Sequence, residues 1–468
     1  MKINRLNNFL LKLIFLLLPF QYRFFFHTDY SNYKNHVIEY NLLFFSSIEL
    51  LIILLILFNS SILFQFLARK IKNRKFLVLI FSFLLILNIF FAESSLLAVH
   101  KYLHLSIWVL FFCLSKFLIK NPVKLIVFLK YTFFSACVAS ITALLQFAFQ
   151  SSIGLKYLGE SLIAPDILGV AKIAFNNQKI IRGYGTFPHP NILGAFLLIM
   201  VFSSTLYLKY LKENTLLLFG SYKYRTKSII KRCKNFIRHR KTAFRLPREN
   251  IYNNHNKKIE ILIFKIIQII LILGIFVTFS RISILALFLL ALSSLIFLKS
   301  RYLFLICLII SAIFFVSFKE LALSRIGEEN SINNDLVQNV SYRNLYSAMA
   351  RRTIAENFYF GVGAGNYILY QMENNISQAL PWEIQPVHNT LLYLIAEMGI
   401  LLAGFLIYFL IYALIKNFNQ NKLYLKYYYV FILILLIPFS FDHYFYSFPQ
   451  GFALIYLLLI QFYFYKKI

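Results

Sequence analysis

Charge is what this sequence has least of. Only 14% of its 468 residues are Asp, Glu, Lys or Arg, against about a quarter in an average water-soluble domain, which excludes a soluble enzyme of two or three domains. Acidic residues are the scarcer class: 18 Asp+Glu stand against 48 Lys+Arg, a formal net charge of +30. The four cysteines, Cys113, Cys137, Cys233 and Cys307, have neither paired nor metal-type spacing, so no disulfide framework and no zinc site is indicated. No Walker sequence is present, so ATP is not the energy source. A strongly basic chain would ordinarily suggest nucleic acid, but runs such as LLIILLILF and FLVLIFSFLLILNIFF leave little chain for a soluble basic domain.

Apolar residues fill the space, at 60% of the chain with 53 Phe and 31 Tyr. A helix needs about twenty apolar residues to cross about 30 Å of hydrocarbon. Stretches near that length fall at 8–26, 41–67, 76–94, 103–119, 125–149, 191–208, 260–279, 282–298, 302–318, 388–415, 427–441 and 450–464. In lipid each backbone amide must be bonded within its own segment, so the expected fold is an all-α integral membrane protein of about twelve transmembrane helices, a single polytopic domain over 1–468. The first stretch has a basic start but no small-residue cleavage site, and reads as an uncleaved signal anchor.

Short cytoplasmic loops retain Lys and Arg. If the spans alternate, RKIKNRK at 69–75 and the segment 209–259, with 15 Lys+Arg, share one side. That side is the expected cytoplasm, with both termini, and 209–259 reads as a basic cytoplasmic loop meeting anionic lipid headgroups. The segments 150–190 and 319–387, the turn at Ser280 and Arg281, and Asp442–His443 then face outward. Chemistry is expected there.

Four places carry the polar residues that chemistry needs. Arg281, in VTFSRISIL, sits between two spans with almost no loop; a guanidinium there either snorkels to the interface or meets an anion. IIRGYGTFPHPNILGAF at 180–196 puts Arg182 and His189 before a span, with Asn191 placed to cap it. QPVHNTLLYLIAEMGILLAGF opens a long helix at His388 and Asn389, and a histidine at the interface can act as a general base. Glu397 lies about 180° round from His388 and about 12 Å below Asn389, at 1.5 Å per residue, where a carboxylate must pair, protonate or face a cavity. SYRNLYSAMARRTIAENFYFGVGAGNY holds Tyr342, Arg343 and a glycine turn that is neither a P-loop nor a dinucleotide fingerprint. The aromatics near it, Trp382 included, suit sugar stacking or interfacial anchoring equally. Each of these residues also has a plain structural reading as a turn, cap or snorkelling group.

Together the motifs form a set: Arg before an aromatic-Pro-X-Pro-Asn lead-in, a Ser-Arg turn, an outer loop with GVGAGN, HN followed by Gly399, and DHYFYSFPQG at 442–451. The set resembles the O-antigen ligase and O-antigen polymerase superfamily over about 180–451. One departure is Leu402, where the family often has a small or polar residue. The resemblance implies a GT-C-like fold with the large periplasmic loop, 319–387, between the ninth and tenth spans. It also implies metal-independent, inverting transfer of a glycan from a polyprenyl diphosphate carrier to an acceptor hydroxyl at the outer face of a bacterial inner membrane. No cofactor and no nucleic acid enter. Arg182 and Arg281 would hold the diphosphate, His388 would be the base, and Arg343, Asn389, His189, Tyr342 and Glu397 would bind substrate. The competing reading is a twelve-span secondary transporter with Glu49, Lys265 and Glu397 as coupling charges; a lipid-linked glycan flippase is a third.

Overall fold

The computed structural model describes residues 2–20, 22–34, 36–175, 178–233, 248–320, 333–374, 384–418 and 423–465. The described residues are mostly helical, as expected for an all-α integral membrane protein, with three two-stranded antiparallel sheets that the apolar pattern hid. Helices are numbered in chain order: α1 Lys2–Leu17, α2 Ser47–Phe58, α3 Ser60–Lys72, α4 Lys75–Phe90, α5 Ser95–Ile119, α6 Pro122–Phe149, α7 Pro190–Cys233, α8 Arg248–Val277, α9 Arg281–Leu298, α10 Arg301–Ser317, α11 Asn333–Glu356, α12 Tyr367–Asn374, α13 Thr390–Phe418, α14 Leu423–Phe441, α15 Tyr444–Ser447 and α16 Pro449–Tyr465. Local chemistry sets several starts. The side chain of Asn121 accepts from Lys124 N with Pro122 following, and Ser280 accepts from Ser283 N to start α9, as orphan first-turn amides require.

Among the described residues, six helices have the length and hydropathy to cross a membrane: Ser95–Ile119, Pro122–Phe149, Pro190–Lys212, Asn256–Val277, Arg281–Leu298 and Thr390–Tyr412. Lys75–Phe90, Arg301–Ser317, Lys426–Phe441 and Pro449–Phe464 are apolar but shorter. At 1.5 Å per residue a helix of that size covers about 24–26 Å, short of about 30 Å of hydrocarbon, so twelve full crossings remain an expectation. The first two expected spans are corrected. In place of a span over 8–26, α1 stops at Leu17, before Pro19, and Arg23–Phe26 forms a strand paired with Leu43–Ser46. In place of one continuous span over 41–67, that second strand leads into α2 and α3, which meet at 81°. The reason is local. A capping box of Ser46 and Glu49 starts α2, and Asn59 leaves the helical region and exchanges two side-chain hydrogen bonds with Asn7, at 2.8 and 2.9 Å.

The centre of the molecule is α7, almost wholly enclosed from Pro190 to Lys212. Small residues bring neighbours against it and against α6. A Cβ on Gly194 would lie 2.8 Å from Ser283 Cβ, and one on Gly274 2.8 Å from Leu197 Cδ1, the close approach that membrane helices use in place of a hydrophobic drive. Phe202 stacks on Phe431 with ring centroids 3.9 Å apart.

The inter-helix segments expected to face outward gather at one end. Thr186 Oγ1 donates to Pro19 O (2.9 Å), Gly183 N to Val277 O (2.9 Å), Glu93 N to Val362 O (3.3 Å) and Thr390 Oγ1 to Asp442 O (2.6 Å). The glycine turn after α11 lies across a break in α13 at Gly399, where φ is +68°. Val362 N and Gly363 N donate to Ala396 O and Glu397 O (both 3.0 Å), and Ile400 N donates to Phe358 O (2.9 Å). Gly361 and Gly399 face each other so closely that a Cβ on either would meet the other's backbone nitrogen at 2.5 or 2.6 Å; only glycine fits both the contact and the φ. The glycine turn expected in SYRNLYSAMARRTIAENFYFGVGAGNY is therefore present, after a helix. Of the basic segment 209–259, residues 234–247 lie outside the described residues, as do 321–332 and 375–383, with Trp382, in 319–387.

Candidate active site

Arg182 is nearly fully buried, at 5% exposure. The turn that carries it is pinned by Gln146, whose Oε1 accepts from Tyr184 N (3.0 Å) and Gly185 N (2.7 Å). Arg182 Nε donates to Thr278 O at 2.6 Å, three positions before Arg281 in the same turn, and an Nη donates to Asn191 Oδ1 at 2.7 Å. Asn191 Nδ2 in turn donates to Asp442 Oδ2 at 2.9 Å. The expected helix cap is thus corrected. His189 Nδ1 takes that part, accepting from Asn191 N at 3.2 Å, and the Asn191 amide is released to link an arginine to a carboxylate.

Asp442 is the centre of the cluster. Its Oδ1 accepts from His443 N (2.9 Å) and lies 3.7 Å from His388 Nδ1 and 4.0 Å from His443 Nε2. His443 Nδ1 meets Ser447 Oγ at 2.8 Å. His388 Nδ1 is enclosed without a hydrogen-bond partner, and the rings of His388 and His443 sit 5.3 Å apart, with Tyr346 and Tyr40 against them. His388 keeps 23% of its side chain exposed, against 8% for Asp442. The histidine is the accessible member and the carboxylate the buried one.

Electrostatics acts on two of the histidines. Burial pushes His443 down to about 3 against the pull of Asp442, and burial, joined by Arg182, His388 and Arg343, pushes His189 down to about 3. Both are neutral bases near neutral pH. Burial alone would raise the Asp442 carboxyl, but the facing His388, then His443 and His189, hold it well below the usual carboxylate range. A carboxylate 3.7 Å behind one imidazole nitrogen is placed to fix that ring's tautomer once the pair closes to hydrogen-bond distance, which would leave the other nitrogen to accept a proton, the logic of acid–base dyads.

The remaining expected residues divide. Arg281 is exposed at the first position of α9. Arg343 is exposed on α11, close enough to act on His189. Tyr342 stacks on Tyr346, 6.2 Å between centroids, which itself faces His388. Asn389 accepts from Leu392 N at 3.0 Å and caps α13, which aims His388. Glu397 is buried and bonded within the fold, accepting from Gly365 N (2.6 Å) and Tyr367 N (3.4 Å) to tie the glycine turn and the start of α12 to α13. Glu49 is likewise held, by Ser46 N (3.0 Å), His104 Nδ1 (2.6 Å) and Trp108 Nε1 (3.2 Å). The transporter reading needs these two carboxylates to change partners, and each is enclosed in a bonded network.

Sequence reasoning did not single out Asp442 and His443 as functional. Their signal was present: an Asp-His pair between two apolar stretches, in a segment expected to face outward. His388, Asp442 and His443 also each offer one ligand atom within 4.8 Å of the others, a donor set that would suit a divalent cation. Against that use, both Asp442 oxygens already accept hydrogen bonds.

Residues 266–409 match a family model described as O-Antigen ligase. The match covers under a third of the chain and supports a likeness to the O-antigen ligase superfamily, whose general type is a ligase- or polymerase-like glycosyl transferase. Neither the curated proteins nor the solved structures include a match to this chain. The matched segment holds Arg281, Arg343, His388, Asn389 and Glu397; Arg182, His189, Asp442 and His443 come to the same end of the molecule from outside it.

Proposed function

With the O-antigen ligase segment at 266–409 as premise, we propose that this protein transfers a glycan from a polyprenyl diphosphate carrier to a sugar hydroxyl of a glycolipid acceptor, of the lipid A core type, at the periplasmic face of a bacterial inner membrane. The observation that carries this reading is the convergence of Arg182, Asn191, Asp442 and His388, from three distant segments, into one contact chain. It lies at the end of α7 opposite the basic segment, about 27 Å along the helix from Asn191 to Lys209 at 1.5 Å per residue.

In this mechanism His388, backed by Asp442, accepts the proton of the acceptor hydroxyl. That oxygen attacks the anomeric carbon from the face opposite the carrier, the bond from that carbon to the diphosphate oxygen breaks, and the configuration inverts. The leaving diphosphate keeps its electron pair and meets Arg281, exposed at the start of α9, and Arg343 on α11 is a further phosphate or glycan contact. Arg182 acts from beneath through its charge and by fixing Asn191 and Asp442. Such preorganised charge is worth most where water is excluded. No metal ion is needed, because arginines carry the developing negative charge.

A polymerase acting on the same carrier would use the same groups. Deletion of the gene followed by analysis of the carrier-linked glycan separates the two. Full-length polymer stranded on the carrier means ligase, single repeat units mean polymerase, and unaltered surface glycan would sink both.

A further inference from the structure

Every backbone N–H from Ile181 to Gly185 is taken up, and Arg182 sits in the middle of the run. Ile181 N donates to Gln150 Oε1 (2.7 Å), Arg182 N to Ala171 O (3.3 Å), Gly183 N to Val277 O (2.9 Å), and Tyr184 N and Gly185 N to Gln146 Oε1. Gln146 lies in the last turn of α6 and Gln150 is its C-cap. The two glycines let the turn lie directly on that helix. A Cβ on Gly183 would meet Ala143 O at 2.9 Å, and one on Gly185 would meet Ala139 O at 2.6 Å.

Gln146 is held in its turn. Its Nε2 donates to Gly185 O (2.9 Å) and to Glu160 Oε1 (2.8 Å). With Oε1 accepting from Tyr184 N and Gly185 N, the carboxamide has its two donors and both acceptor positions in use. Glu160 is buried, and its carboxylate also accepts from Ile153 N (2.7 Å) and Leu155 N. These neighbours all offer N–H groups, so the place calls for a side chain that only accepts. A carboxylate against the Nε2 edge of Gln146 leaves the Oε1 edge for the amides beside Arg182.

Taking the proposed transfer reaction as given, we infer that Glu160 and Gln146 are positioning residues for it. Through Tyr184 and Gly185 they set where Arg182 stands, and Arg182 sets Asn191 and Asp442 behind His388. The outer segment that follows α6 is thereby joined to the reacting end of the molecule. Precision matters there, because a displacement of about 1 Å at such a group can cost about 10²-fold in rate.

The test uses the full-length chain in membranes, with the cell's own lipid-linked glycan as donor. Gln146→Glu keeps the shape and the acceptor for Tyr184 N and Gly185 N, but sets a second acceptor against Gly185 O and Glu160. Expected is a fall in kcat of about tenfold or more. KM for the lipid-linked glycan should hardly change, because that substrate meets Arg281 and Arg343. Adding Glu160→Gln should restore part of the rate, since its amide can donate to the new carboxylate; a merely structural role gives no such rescue. In an R182K background Q146E should cost little more, the guanidinium that it positions being already gone. E160Q alone, combined with R182K, gives the same comparison if Q146E disturbs folding. If H388A and R182K both keep parent activity, the transfer mechanism itself fails; if both lose it while Q146E keeps it, only the positioning role fails. Losses from Q146E and R182K that multiply, no recovery in Q146E/E160Q, or loss of folded protein in both Q146E and E160Q, overturns the inference.

Discussion

His388 Nδ1 and Asp442 Oδ1 stand 3.7 Å apart where the start of α13 meets the end of α14, a half-buried imidazole backed by a buried carboxylate. Thr390 Oγ1, donating to Asp442 O at 2.6 Å, locks that junction. The pair can act as a base only if both partners and their separation are kept, so each has its own test.

Replacing Asp442 by Asn keeps the shape of the junction but removes the charge behind His388. Transfer activity in membranes should fall about 10²-fold or more, the usual weight of an oriented acid–base group, with protein level unchanged. His388→Ala should abolish surface glycan. Activity above half of the parent in D442N would remove the carboxylate from the mechanism.

Arg182→Lys tests the guanidinium. One ammonium cannot reach both Thr278 O and Asn191 Oδ1 in the geometry that Nε and an Nη supply, so Asn191 should lose its hold on Asp442. Expected is a loss of at least tenfold in transfer with the protein still in the membrane. Arg281→Ala should lose activity without loss of stability, because that side chain is exposed; a large drop in thermal midpoint for R281A would show a structural role instead.

Acid should destabilise the fold in two steps. His189 and His443 are pushed down to about 3 in the fold from an ordinary 6.5, so from pH 6.5 downward the unfolded chain takes up protons that the folded one refuses. Their contribution is complete above about 6.5 and lost as pH falls toward 3, at up to about 1.4 kcal/mol per pH unit for each histidine. The depressed Asp442 carboxyl adds stability above its ordinary 3.8 that is lost lower still. The thermal midpoint should therefore drop between pH 7 and pH 5, and less steeply in H443Q. Identical slopes for parent and H443Q would contradict the burial of a neutral His443.

Chelators should leave transfer in purified membranes unchanged. Loss with EDTA, restored by Mn²⁺ or Mg²⁺ and absent in H443Q, would instead assign the His388, Asp442 and His443 cluster to a cation.

Gly399→Ala should unfold or misassemble the junction of the outer loop with α13. The new Cβ would meet Gly361 N at 2.6 Å and Phe360 C at 2.5 Å, in a backbone with φ +68°. The left-handed conformation alone costs about 1 kcal/mol or more, and the backbone contacts add to it. An unchanged thermal midpoint would show that the 358–365 crossing is not rigid.

The sequence by itself determined the solvent, and through it the fold class. So few charges and so many apolar runs leave only lipid, lipid leaves helices, and the clustering of Lys and Arg separates one end of those helices from the other. It also showed Arg182, Arg281, Arg343 and His388 as polar residues at apolar boundaries, because a charge beside hydrocarbon stands out. It could not show what is bonded to what. The strand pairing of 23–26 with 43–46, the 81° bend at Asn59 and the Gly361–Gly399 contact arise from partners far apart in the chain, which hydropathy averaged along it does not register. Glu397 and Asp442 make the point together: each is a lone carboxylate at a helix in an apolar sequence, equal by composition. Only the fold surrounds the first with backbone amides and sets the second against Asn191 and two histidines.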